Sequence, residues 1–276
     1  MTTLLKRVLL GASVASLLLI SALPAAAADD ARIRVLHASP DAPAVDIYVN
    51  DSVVEALTNV PFGAISDYLS VPAGDYNIKV YPTGTSSTAV IDADVTLSGN
   101  TSYTVAAINP VASIQPAVSI DDPALTAGQA LVRVIHLSPD APAVDVAPDG
   151  AAPADAVVKG LEFPAATDYL ALAAGSYDLE VRLAGTTDVA LQLDPIEVAA
   201  GRAYSVFAIG SAAAEPLGGN ELTVLAPLDG QWMPDTSTET GAPAGTDLLL
   251  VGLLLTAGLA TFAMFIARGR DASEAR

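Results

Sequence analysis

His37, Ser39, Asp41 and Asp46 fall within ten residues, in the run His37-Ala-Ser39-Pro-Asp41-Ala-Pro-Ala-Val-Asp46, and the same types return as His136, Ser138, Asp140 and Asp145. An imidazole, a hydroxyl and two carboxylates at this spacing are the raw material of three chemistries. A serine nucleophile needs a histidine within hydrogen-bond reach and a third group to orient it. Here there is one histidine per copy, and Ser39 is followed by proline rather than lying in a Gly-x-Ser-x-Gly elbow. Glycoside hydrolysis needs two carboxylates flanking a sugar, but Asp41 and Asp46 are five residues apart and the chain has one Trp. Calcium suits the abundant hard oxygens better, although no Asp-x-Asp-x-Asp-Gly spacing is present. The expectation is therefore no enzyme and no organic cofactor, with Ca²⁺ the one ion that the carboxylates suggest.

The loop carrying these residues is stiff. Pro40 fits the second position of a turn opened by Ser39, and Pro43 drives Ala42 out of the helical region. Such a loop has two uses. It can hold a corner of the fold, with Ser39 and Asp41 capping backbone amides, or it can present its polar groups to a glycan or a divalent cation. His37 has the parity of Ile33 and Val35, and His136 that of Val132 and Val134. Each ring is thus expected to tuck against the core end and bond a backbone or carboxylate group.

The elements that position the loop are themselves repeated. Arg34 to Asp46 returns ninety-nine residues later as Arg133 to Asp145, and Asp67-Tyr68-Leu69 returns as Asp168-Tyr169-Leu170. Ala73-Gly74-x-Tyr76 matches Ala174-Gly175-x-Tyr177, and Gly99 with Tyr103 matches Gly201 with Tyr204. Shared marks along about a hundred residues indicate a duplicated domain. Ile33/Val35, Val45/Ile47/Val49 and Tyr76/Ile78/Val80 alternate with polar neighbours, broken by Pro, Gly, Asn and Asp, which is the pattern of short strands. The expected fold is all-β: two tandem antiparallel β-sandwich domains of immunoglobulin-like or transthyretin-like kind. In the second copy Val146-Ala147-Pro148-Asp149-Gly150 replaces Ile47-Tyr48-Val49-Asn50-Asp51, so a shortened or edge strand is expected there.

Boundaries follow from composition. Residues 1–28, with Lys6-Arg7, an apolar run from Val8 to Ile20 and Ala25 to Ala28, have the parts of a secretory signal peptide. The first module is set at 29–120, a linker at 121–129, the second module at 130–228 and a Pro/Ser/Thr/Gly-rich flexible stalk at 229–247. Leu248 to Ala267 is twenty uncharged residues, long enough to cross a bilayer, and Arg268 and Arg270 place the tail 268–276 in the cytoplasm. A single-pass protein with its modules outside the cell membrane is expected. The alternative is attachment to the cell wall, because Met233-Pro234-Asp235-Thr236 resembles a Gram-positive sorting signal in which Met233 replaces Leu and Ser237 replaces Gly.

Between Asp29 and Asp247 there are seven basic and twenty-nine acidic residues, a net charge of −22. A surface this negative repels nucleic acid and anionic lipid headgroups. The chain has no cysteine, so disulfides and thiolate zinc sites are excluded and the fold must hold by packing. That absence also favours a bacterial or archaeal surface.

The repeated His-x-Ser-Pro-Asp-Ala-Pro-x-Val-Asp, with the later Ala-Gly-x-Tyr, resembles the bacterial surface family catalogued as domain of unknown function 4397 (DUF4397), over Ala31 to Pro116 and Leu131 to Ala226. The resemblance implies exported, often tandem domains and no established activity. The function expected is non-enzymatic contact with a surface or envelope protein or a glycan.

Overall fold

The computed structural model describes residues 29–213, 215–231 and 233. The segments read as signal peptide, transmembrane helix and cytoplasmic tail, the stalk from 234 onward, and the Pro234-Asp235-Thr236 part of the sorting-like motif lie outside the described residues. Among those described, no helix is long and apolar enough to cross a membrane.

The first module is built from β1 (Ala31–His37), β2 (Val45–Val49), β3 (Ser52–Val53), β4 (Leu69–Val71), β5 (Gly74–Pro82), β6 (Ile91–Leu97), β7 (Ser102–Ile108) and β8 (Gln115–Ile120). They form two sheets, ordered β4-β1-β7-β8 and β3-β2-β5-β6. The second module repeats the plan with β9 (Ala130–His136), β10 (Val144–Pro148), β11 (Val158–Leu161), β12 (Ala165–Ala166), β13 (Leu170–Leu172), β14 (Gly175–Tyr177), β15 (Leu179–Leu183), β16 (Val189–Gln192), β17 (Ile196–Val198), β18 (Arg202–Ile209), β19 (Thr223–Leu225) and β20 (Leu228–Gln231). Here β9 and β18 lie at the centre of one sheet, β11-β10-β15-β16 make the other, and β14 pairs with β17. The described chain is thus all-β. The only helical elements among the described residues are three-residue 3₁₀ turns.

Period-two patterning puts Ile33 and Val35 of β1 against Val45 and Ile47 of β2 and Ile78 and Val80 of β5 in one core, with Val132, Val146, Val181 and Val206 doing the same in the second module. Asn50 and Asp51, at φ 49° and 62°, make the tight turn between β2 and β3, a conformation that Asn and Asp tolerate better than most residues.

Three expectations need correction. The sheets are not wholly antiparallel: β1 runs parallel to β7, and β9 parallel to β18. The reason is that the chain leaves β1 for the other sheet and returns so that β7 enters beside β1 in the same direction. Next, β10 is no edge strand, since it lies between β11 and β15 and all five of its residues pair with β15. Pro148 is accommodated because it ends the strand. Finally, the second module does not stop at 228. Asp229, placed by composition in the stalk, is 2 % exposed within β20.

The two modules also share a third core. The opposite face of β1 and β7 supplies Leu36, Ala106 and Ile108, and that of β9 and β18 supplies Ile135, Phe207 and Ile209, with Ala38 and Leu137 just beyond the strands. Every residue of β7 is buried because both of its faces are covered. Burying a large apolar side chain contributes about 1.5–3 kcal/mol, so six of them contribute about 9–18 kcal/mol to this seam, an upper estimate because the unfolded chain already buries part of that surface. Residues 29–233 consequently lie in one compact unit.

Candidate functional site

The sequence-predicted residues sit at the ends of β1 and β9, in the loops that follow and at the starts of β2 and β10; the histidines, serines and Asp145 are buried, Asp41 and Asp46 are half-buried and Asp140 is exposed. His37 and His136 are each 1 % exposed. The Nε2 of His37 lies 3.0 Å from the Pro43 carbonyl and that of His136 lies 3.2 Å from the Pro142 carbonyl, so Nε2–H donates across the base of each loop. Phe62 and Phe163 pack edge-on at 6.3 and 6.2 Å. Ser39 Oγ donates to the Asn109 carbonyl at 2.6 Å. Ser138 Oγ meets Asp140 Oδ1 at 3.3 Å, while its backbone N–H points to His136 Nδ1, also at 3.3 Å. No serine hydroxyl of the two loops donates to an imidazole.

The carboxylates work as amide acceptors. Asp41 takes the Val111 N–H at 2.6 Å, and Asp140 takes Ser211 Oγ at 2.5 Å and the Ala212 N–H at 2.9 Å. Asp46 ties together Asn59 N (2.7 Å), Thr83 Oγ1 (3.0 Å) and Gly84 N (3.1 Å), and Asp145 bridges Gly160 N (2.7 Å) and Gly185 N (2.8 Å). The Asn59 amide, with Gly84 and Thr83, holds the Asp46 carboxyl below its ordinary value. At Asp140 burial acts the other way, but the Ser211 hydroxyl and the amides outweigh it and keep the carboxyl low. Among the described residues no three His, Asp or Glu side chains converge as a metal site.

Burial lowers both histidine pKa values, against the smaller opposing effect of the proline carbonyls. The sign of the consequence follows directly. Below the ordinary value of 6.5 the unfolded chain takes up protons that the folded rings refuse. Stability is therefore complete above that pH and declines as pH falls, by up to about 1.4 kcal/mol per pH unit for each ring. Melts from pH 7.5 to 5 should show a falling Tm, and His37→Gln with His136→Gln should flatten the profile; an unchanged slope in the double variant would assign it to other groups.

A second cluster has no counterpart in the sequence reading. Arg34, on the seam face of β1, reaches across to the other module: its Nη2 meets Asp229 Oδ1 at 2.5 Å and its Nη1 the Leu228 carbonyl at 3.1 Å. Arg133, at the equivalent place on β9, reaches back to Asp121 and, at 2.8 Å, the Ile120 carbonyl. Each guanidinium Nε is held by a hydroxyl, Thr104 at 2.7 Å and Ser205 at 2.6 Å, and these hydroxyls donate to Asp121 (2.5 Å) and Asp229 (2.6 Å). Tyr68 donates to Asp121 at 2.7 Å and Tyr169 to Asp229 at 2.6 Å, while each ring lies against a guanidinium at 4.6 and 4.8 Å. Burial, then the charge of Asp121, raises the Tyr68 phenol pKa; burial, then the hydrogen bond to Asp229, raises that of Tyr169. Both phenols stay protonated and act as donors. Two positive and two negative groups, all at most 5 % exposed, thus lock the modules by reciprocal exchange.

The sequence signal was present in part. Arg34/Arg133 and Tyr68/Tyr169 recur at matching places in the two copies, whereas Asp121 and Asp229 sit where composition says linker and stalk.

The family described as a domain of unknown function (DUF4397) matches residues 31–147 and 149–239. No curated protein matches the sequence. Among solved structures, the Bacillus anthracis TIE protein is 10 % identical at a TM-score of 0.23, over 66 % of this chain and 34 % of its own. This chain therefore spans about a third of that protein. A family 26 carbohydrate-binding module of Eubacterium rectale Amy13K, in complex with maltoheptaose, is 13 % identical at 0.22, over 75 % and 98 %. A Bacteroides eggerthii protein provisionally assigned to cell adhesion is 12 % identical at 0.20, over 74 % and 97 %. At such TM-scores these likenesses carry no argument.

Proposed function

We propose, from the premise that this chain belongs to the DUF4397 family, with the family's domain present twice, that it is a non-enzymatic cell-surface protein making protein or envelope contacts. On this reading each module is a β-sandwich, residues 1–28 are a signal peptide, and Leu248 to Ala267 anchors the chain in the cell membrane with the modules outside. The observation that carries it is the internal use of the repeated polar groups. The loop carboxylates accept from neighbouring amides and hydroxyls, and the Arg/Asp pairs are spent across the seam. Duplication has thus built one compact unit suited to presenting a surface. The uncharged run and following arginines support the anchor.

Antibody labelling of intact cells, before and after protease shaving, tests the proposal together with fractionation. Labelling that shaving removes, with the chain in the membrane fraction, is the expected result. Recovery in the cytosol or the medium would overturn it, and recovery covalently joined to wall material through Thr236 would replace the membrane anchor by wall attachment.

A further inference from the structure

The seam between the modules is pseudo-symmetric in backbone and unequal in side chains. On β7 and β8, Ala106 pairs with Ala117; at the equivalent register of β18 and β19, Phe207 pairs with Leu225. Phe207 is 1 % exposed and lies over the first module, 5.8 Å from the Arg34 guanidinium. On that side the seam is closed by a Phe and a Leu. On the other side two alanines stand in their place; Ala106 stays buried against Phe207, but over half-buried Ala117 a groove of about 300 Å³ opens, lined also by Phe207 and by Ile135, Leu137 and Ala165 of the second module. This volume is at the lower end of the range of binding clefts, and domain junctions are where such clefts concentrate. The groove is continuous with the apolar seam itself.

Its rim is a strand edge. β8 is the outermost strand of its sheet, its far edge unpaired among the described residues. It carries Val118 and Ile120 at 48 % and 57 % exposure. An open edge with exposed large apolar side chains is a template for a further strand, and most soluble proteins blunt such edges.

We propose that β8 and the groove bind an extended peptide segment of a partner protein, which adds to the β8 edge and seats a Phe or Leu side chain over Ala117, where the first module lacks the counterpart of Leu225. The occupant is indicated by the molecule, because the mirror-related position is filled by a Phe and a Leu. Charge sets the rest of its chemistry: a net −22 between Asp29 and Asp247 repels a second copy and favours a segment with flanking lysines or arginines. This deepens the surface-contact reading and rests on it only for the partner's location.

The test is a fluorescence-anisotropy titration of the full chain into a fluorescein-labelled peptide, Lys-Val-Thr-Phe-Thr-Val-Lys. Saturable binding is expected, weakened about tenfold or more, 1.4 kcal/mol, when the peptide's Phe is replaced by Ala. Ala117→Leu fills the groove as Leu225 does its counterpart, and Val118→Lys charges an exposed edge position, so neither should unfold the chain. Each should cut affinity at least tenfold with the Tm held. No saturation at millimolar peptide, equal binding of the Phe and Ala peptides, or variants that bind like the parent would overturn the proposal. So would self-association abolished by Val118→Lys, which would assign the edge to a second copy. The titration is indifferent to where the chain resides, so its failure and a failure of cell labelling are separable.

Discussion

Asp229→Ala is expected to lower the Tm of the described unit by roughly 6–20 °C. The carboxylate is 2 % exposed and accepts from Arg34, Ser205 and Tyr169. Its removal leaves the Arg34 guanidinium buried with Asp121, 3.6 Å away, as its remaining acidic neighbour. Breaking a buried pair from one side costs about 3–5 kcal/mol, and a unit of this size loses about 2–4 °C per kcal/mol. Asp122→Ala, at an exposed position of the same charge type, should stay within about 0.5 kcal/mol. Replacing both arms, Arg34→Met with Asp229→Leu, should cost less than Asp229→Ala alone, because no charge is stranded. Equal melting curves for Asp229→Ala and Asp122→Ala would remove the network from any account of how the modules are joined.

What was legible in the sequence and what was not follow from the same strand. Period two in β1 announces that Ile33 and Val35 face a core, and His37, of the same parity, is buried at the strand's end, where its ring neighbour Phe62 packs on the seam cluster. The pattern also labels Arg34 as solvent-facing, because periodicity reports polarity and a buried, neutralised arginine is as polar as an exposed one. Only continuous burial along β7, visible as Val105-Ala-Ala-Ile108, hints that its second face is covered. Asp121 and Asp229 could not be found this way. Each lies at the end of its module among Pro, Gly and Asp, and its partner is supplied by the other copy across 12 to 195 residues of chain. Of the proposed loop residues, Asp41, Asp46, Asp140 and Asp145 were identified by type, but spacing alone could not tell an amide cap from a ligand site.

Gly218→Ala addresses that last ambiguity from the opposite side of the loop. Gly218 belongs to the turn Leu217–Gly219, which presses on the first loop: Asn220 Nδ2 donates to the Pro40 carbonyl at 2.6 Å. A Cβ at Gly218 would lie 2.3 Å from that carbonyl oxygen and 2.8 Å from Asp41 Cα, both backbone atoms that cannot rotate aside. Gly219 is a built-in control, since it shares the left-handed conformation, φ 75° against 60°, yet has nothing within 4 Å. Gly219→Ala should therefore cost only the conformational penalty of about 1 kcal/mol, while Gly218→Ala should add about 1–3 kcal/mol of overpacking. Urea melts of the two variants at equal m-value measure the difference. A gap of that size means the Ser39-Pro40-Asp41 turn is clamped between the modules and its backbone is spent on holding them together. Equal midpoints would mean the turn yields at no cost, and a loop that yields is one that a ligand can open.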